Sequence, residues 1–406
     1  MKGTTKSRGL KALAVSMALG LGMTACSRDY AVGYLYATNA KATPGLITAY
    51  AIDYESGALT QLSDSPIPSG GNNTVTLVAS PNGKNIYVLN QNTSTVVQFD
   101  IGTDGKLYPE NTYNVVQGSG LTGTYPINAA VDPASKFLYV TFLYQNGYTT
   151  VRPGPGGVAI FPINADGSLG TPLTNTTTGT TLPYVPLGFN PVGITIPATG
   201  GYVYVIDQDG PPGTLLAFAE NTATGALSSI GVAAGIPAVG AGGTPIAIAE
   251  DPSGHFLYVT DSANNKLNVF TVTGGVPSRT STIATGLTPM GVTIDPRGKF
   301  LYVANFNSNT VGTYSINTSS GVLTGSGGGL PVESSVGTGP TCVAIDPSLG
   351  IYLYTSNDIE NDVSGEQLNP QTGALEQIQG TPFASQTLTT CVVAVVNGAH
   401  ASQIVE

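Results

Sequence analysis

The chain has 406 residues, 53 of them Gly and 28 Pro, yet only 9% are charged, against roughly a quarter in ordinary soluble domains. With 41% hydrophobic residues there is material for a core, so the composition is not that of a disordered chain. The 14 Lys and Arg against 24 Asp and Glu give a net charge of −10; a nucleic-acid binder needs a basic surface, and that class is excluded. Two His, three Cys and no Trp leave zinc-finger, haem and iron–sulfur sites short of ligands.

Residues 1–25 read as a leader. Lys2, Lys6, Arg8 and Lys11 precede an apolar run from about Ala12 to Met23. That run is too short to span about 30 Å of hydrocarbon and fits a signal-peptide h-region. Met23-Thr24-Ala25-Cys26 resembles the lipobox of bacterial lipoproteins, which implies that Cys26 is acylated and becomes the mature N-terminus; several acyl chains give a stable anchor. Ser27 rather than Asp after the cysteine implies, by the same resemblance, delivery to the outer membrane. The alternative is a plain secretory signal. Residues 26–32 form a tether of roughly 20–25 Å. Removing four leader cations leaves ten basic against 24 acidic residues, or −14.

The remainder repeats. DPRGKFLYVAN (295–305) stands for a template whose central tyrosines are Tyr36, Tyr87, Tyr139, Tyr204, Tyr258, Tyr302 and Tyr354, spaced by 51, 52, 65, 54, 44 and 52. Seven periods near 50, rich in Gly and β-branched residues, predict an all-β, seven-bladed propeller of four-stranded blades over residues 33–396, with 397–406 as a tail. Each unit opens an inner strand at a Gly-x-x-Pro signal and turns at Asp-Pro into the Tyr-Val strand. The chain then crosses an Asn/Asp-rich loop to a third strand and turns back at a Gly-centred hairpin. Repeat 1 lacks an inner strand, and the orphan strand from Cys391 to Val396 is expected to supply it, closing the ring and protecting the sheet edges. Asp132, Asp251, Asp295 and Asp346, in the Asp-Pro turns, read as structural.

Tyr302-Val303-Ala304-Asn305 and the Thr-Gly-Ala-Leu turns resemble the Tyr-Val-Thr-Asn propeller repeat proteins and the seven-bladed lactonase family, which includes 6-phosphogluconolactonase and muconate-cyclising enzymes. The resemblance covers roughly residues 33–396. It implies a top-face cluster of His, Arg and Glu, with a Pro-Arg-His type segment opening an inner strand. The corresponding positions here read Tyr125-Pro126-Ile127-Asn128, Asn190-Pro191-Val192-Gly193, Thr244-Pro245-Ile246-Ala247 and Thr288-Pro289-Met290-Gly291, without His or Arg. His255 falls in a hairpin on the opposite face and His400 in the tail.

Candidate sites therefore come from polar loops. Asn39, Asn90, Asp207, Asp261, Asn305 and Asn357 end the second strands, either lining a ligand funnel or capping their own turns. Repetition in nearly every blade favours capping. The long interval around blade 3 holds expansions at 142–157 and 171–190. Tyr144, Tyr148 and Arg152 there, with Asp207 and Asp209 of blade 4, could hold a sugar or a peptide. Asp358, Glu360 and Asp362 in blade 7 are weak Ca²⁺ candidates, since the loop lacks EF-hand spacing; no metal and no cofactor is expected. Cys342 and Cys391 occupy matching positions of consecutive inner strands, and in an exported protein they often pair. Neighbouring inner strands sit at the edge of the roughly 7 Å Cα limit, so a disulfide and two thiols both stay open.

Two functions remain. One is an exported, lipid-anchored binding or interaction module that presents its loop face to a protein or glycan. The alternative is a lactonase-type hydrolase with a non-standard acid/base set drawn from Arg152, Asp207 and Asp209. The missing His and Arg favour the first.

Overall fold

The computed structural model describes residues 31–118, 121–177, 180–208, 212–230, 239–325, 331–398 and 403–406. Cys26, Asp209 and His400 lie outside them. The described residues form no helix, and none therefore is long and apolar enough to cross a membrane.

Seven antiparallel sheets run in the order inner, second, third, outer; two have four strands, four split the outer position into two short strands, and in blade 3 Val116–Gly118 adds a fifth beside the inner strand, while a short extra hairpin, Asn175–Thr177 with Thr180–Leu182, occupies the 171–190 expansion. Blade 2 shows the plan: Thr74–Ala79, Asn85–Asn90, Thr95–Ile101 and Leu107–Asn114. The inner strands of blades 4 to 7, Pro191–Thr195, Pro245–Glu250, Pro289–Ile294 and Pro340–Ile345, begin on proline, where a missing N–H costs no ladder bond. Blade 3 differs, because its inner strand Leu121–Val131 carries Pro126 within it. Blade 1 is closed by the C-terminus: Thr389–Val396 pairs antiparallel with Ala31–Asn39, from Gly33 against Val396 to Asn39 against Thr389.

Adjacent blades are joined by a repeated contact. The central tyrosines are fully buried. Each donates its hydroxyl to the carbonyl of a hairpin glycine in the next blade: Tyr36 to Gly105 (2.6 Å), Tyr87 to Gly167 (2.8 Å), Tyr139 to Gly225 (3.1 Å), Tyr204 to Gly275 (3.3 Å), Tyr258 to Gly321 (3.1 Å) and Tyr302 to Gly373 (3.1 Å). Tyr354 completes the circle on Gly57 at 2.6 Å. Burial pushes these phenols well above their ordinary range, so they remain protonated donors.

The Asp-Pro turns are held by their aspartates. Asp295 Oδ1 accepts the N–H groups of Lys299 (2.7 Å) and Phe300 (2.8 Å). Asp346 accepts four backbone N–H groups, from Ser348, Leu349, Ile351 and Tyr352. Asp132 and Asp251 do the same locally. These carboxylates are turn caps.

Candidate functional site

The inner strands enter the sheet through an irregularity. In blade 2 the register runs from Thr74–Asn90 to Thr76–Leu89, leaving Val75 as an extra residue. The same shift falls at Ile127, Val192, Ile246, Met290, Thr341 and Thr390 in the other blades. A bulge leaves its extra residue unpaired and re-aims its side chain. All seven residues line one central cavity of about 550 Å³, within the range of small-molecule sites. Ile127, Val192, Ile246 and Met290 follow the prolines at which the family resemblance implies Arg and His, and five of the seven bulged residues are aliphatic or Met. The two threonines spend their hydroxyls on neighbouring strands: Thr341 Oγ1 donates to the Thr390 carbonyl (2.9 Å), and Thr390 Oγ1 to that of Thr74 (2.9 Å).

Around this mouth the second-to-third-strand loops are tied to the loops entering the inner strands. The N–H groups of Ala40, Gln91, Gln208, Ser262, Phe306 and Asp358 donate to the carbonyls of Leu388, Asn73, Asn190, Thr244, Thr288 and Gly339. Among the described residues lining the cavity Asp358 is the sole ionisable side chain, since Cys342 and Cys391 are bonded to each other. It is half-buried, and its Oδ1 is enclosed without a hydrogen-bond partner. Burial holds its carboxyl above the usual range.

All six strand-ending Asn/Asp residues are buried, and Asn39, Asn90 and Asp261 cap their turns: Asn90 Oδ1 accepts from Ser69 Oγ (2.8 Å) and Thr74 Oγ1 (2.7 Å). Asn39 Oδ1 accepts from Ser385, Gln386 and Thr389. Burial alone would raise the Asp261 carboxyl, but donors from Asn264, Gly243 and Thr244 hold it below its ordinary value. Arg152 is exposed and stacks over Tyr148 at 5.8 Å, whereas Asp207 is 1% exposed. No ion pair joins them among the described residues. Tyr144 is buried edge-on against Tyr125, 5.4 Å between ring centres. Asp207 is thus buried at the end of its strand while Arg152 stands exposed on the loop between the second and third strands of blade 3.

Asp358, Glu360 and Asp362 do not converge either. Glu360 accepts from Thr338, Oγ1 at 2.7 Å and N–H at 2.8 Å. Asp362 accepts from Asn357 Nδ2 at 2.7 Å, while Asp358 faces the channel. Among the described residues no group of three His, Cys, Asp or Glu could hold a metal. Cys342 and Cys391 are joined as a disulfide, Cα atoms 4.9 Å apart, on the channel wall. His255 lies in the blade 5 Asp-Pro turn beside Ser253, on the face away from the mouth. Sequence reading missed Asp358 as a channel residue. Its signal was a departure from the repeat, an acid where five other blades carry Ala40, Gln91, Gln208, Ser262 and Phe306.

A polar groove of about 720 Å³ runs beside Lys266, Arg279 and Thr282 on blade 5. It draws mostly on one blade, whereas all seven blades converge on the channel.

Fold and site together define a seven-bladed propeller with a loop-face channel of the lactonase architecture. The family model "Lactonase, 7-bladed beta-propeller" matches residues 27–345, and the chain belongs to that family. Among solved structures it is similar to a Bacteroides fragilis protein assigned as a 6-phosphogluconolactonase, at 19% identity and TM-score 0.67, covering 89% of this chain and 98% of that one. The periplasmic gluconolactonase of Pseudomonas aeruginosa gives 17% identity and TM-score 0.68, covering 90% and 99%. Hydrazine synthase of Kuenenia stuttgartiensis gives 16% identity and TM-score 0.54, covering 79% and 91%. At these identities the likeness shows the fold alone. No curated protein matches the chain.

Proposed function

We propose that the chain is a lactonase-type hydrolase whose site is the channel mouth and whose general base is Asp358. The observation that carries this reading is Asp358, the one carboxyl among the described residues lining a cavity to which every blade contributes, with its Oδ1 withdrawn from solvent and unpartnered. A carboxyl held above its ordinary value is a stronger base once ionised. With a lactone in the mouth, the Asp358 carboxylate takes a proton from water as the water oxygen attacks the carbonyl carbon. The ring C–O bond then breaks, and the departing ring oxygen takes that proton from Asp358. The family match and the two lactonase-described neighbours support the reading.

Export through the leader and lipid attachment at Cys26 belong to the same proposal; the Pseudomonas neighbour is described as periplasmic. A second reading, a binding module facing a protein or glycan, is favoured by the lack of His and Arg at the seven bulged positions. The test is lactone hydrolysis by residues 27–406 compared with Asp358→Asn, and with Arg152→Ala as control. Asp358→Asn should lose about 10²-fold or more in kcat and Arg152→Ala almost nothing. In cells the activity should follow the membranes and become soluble on Cys26→Ser. A parent protein that turns over no lactone leaves only the binding reading.

A further inference from the structure

We infer that the channel receives a hydrocarbon chain: its ligand is a neutral molecule that brings a polar carbonyl head to Asp358 and an aliphatic tail into the cavity, in place of a phosphorylated sugar. This deepens the hydrolase reading by naming the substrate class of the same site, but it does not require turnover.

The lining decides the class. A phosphate needs Arg, Lys or a nest of free N–H groups, and among the described residues no cation lines the cavity. A sugar needs several donors and acceptors, yet of the three lining threonines Thr341 and Thr390 are already committed to the carbonyls of Thr390 and Thr74, which leaves Thr76 as a single hydroxyl. Asn128 is similarly engaged, accepting from the Ala129 N–H at 2.8 Å. Below the bulged residues lies a second aliphatic tier, Leu77, Ala129, Ile194, Ile248, Val292 and Val343. It follows from strand alternation, since each of these residues is two positions past its bulged neighbour. The cavity's 550 Å³ holds on the order of 18 water-sized groups, and an apolar cavity of this kind is poorly hydrated and favours an apolar guest.

The entrance has the same character. Ile359 is 56% exposed, Leu287 54% and Leu388 39%, and all three sit on the loops that frame the mouth. A side chain on Gly339 would come within 2.8 Å of Ile359 and 3.1 Å of Phe306, so these two crowd the residue whose carbonyl holds the Asp358 N–H. An apolar lip thus flanks the carboxyl at the head of an apolar tube. One acid and an aliphatic bore together select a head-and-tail molecule.

The probes are γ-lactones with alkyl tails of increasing length, titrated calorimetrically into the full chain, with glucono-δ-lactone and 6-phosphogluconate as comparators. Affinity should strengthen about fourfold per added methylene until the cavity is full, with a negative heat-capacity change, and 6-phosphogluconate should not compete. Ile246→Lys should abolish the dependence on tail length; the length series on the unaltered protein stands if that variant fails to fold. Affinity independent of tail length, or 6-phosphogluconate bound more tightly than the longest lactone, overturns the inference. Long-tailed lactones that bind without hydrolysis would remove the Asp358 base and leave this inference intact. Turnover of glucono-δ-lactone without alkyl-lactone binding would do the reverse.

Discussion

Glu366 stands where every other blade places an aromatic ring. The residue before the central tyrosine pairs with Tyr50, Phe99, Phe161, Phe218, Phe270 and Tyr314 in blades 1 to 6, and with Glu366 in blade 7. The side chain is 1% exposed and neither carboxyl oxygen has a partner. Burial alone pushes its pKa from 4.5 to about 8. A carboxyl raised in the folded state contributes fully below the unfolded value near 4.5, and that contribution is lost as pH rises towards 8. Over this window the folded chain holds a proton that the unfolded chain has released, so stability falls with pH by on the order of 4 kcal/mol. Glu250, also raised to about 8 by burial and then by Asp251, acts in the same direction. Glu366→Gln should therefore be more stable at neutral pH and show a smaller loss between pH 4.5 and 8 when urea midpoints are compared. An unchanged pH slope would show that the carboxyl is solvated in solution.

At the scale of the element, the unit that recurs is a tyrosine and a glycine turn in the next blade. Tyr302 donates to Gly373, whose φ is +74°. A Cβ on Gly373 would stand 2.4 Å from Phe300 Cδ1, so the glycine both adopts the left-handed turn and admits the ring two residues before the tyrosine. Tyr302→Phe should cost about 1–3 kcal/mol, because a buried carbonyl loses its donor. Gly373→Ala should cost more, adding backbone strain to an overlap that only displacement of Phe300 relieves. Denaturant unfolding would rank the two, and equal losses would show that the turn relaxes freely. These elements were legible in the sequence because the same turn, proline and tyrosine recur about every 50 residues, and repetition averages away local ambiguity. The aim of the channel residues was not. Val75 or Ile127 reads as an ordinary strand residue, and only the register shift beside it turns it into the lumen. Arg152 and Asp207 looked adjacent because their loops occupy equivalent places in neighbouring blades, but Asp207 is buried at its strand end while Arg152 is exposed. Asp358 and Glu366 each occur once, and a departure from the repeat marks a position without showing which way its side chain faces.

For the whole molecule the decisive contact is the one that makes a line of blades into a ring. The strand Thr389–Val396 completes blade 1 beside the N-terminal strand Ala31–Asn39. Tyr354 reaches Gly57, and Ser348 Oγ donates to the Val32 carbonyl at 2.9 Å. The disulfide between Cys342 and Cys391 links blade 7 to the closing strand, across a sequence separation of 49. The two devices differ in kind. The strand supplies backbone bonds and the buried Val392 and Val395, so without it Ala31–Asn39 becomes an exposed sheet edge and the channel opens along one side. The disulfide adds a constraint on the unfolded chain, worth about 2–4 kcal/mol for a loop of this length, while every inter-blade hydrogen bond survives its removal. Ending the chain at Leu388 should therefore unfold the entire propeller in one transition, whereas Cys342→Ser with Cys391→Ser should leave a folded ring of lower denaturation midpoint. Circular dichroism melts of the two variants separate these outcomes. A truncated chain that melts like the parent would mean that the ring is held by blade-to-blade packing without closure.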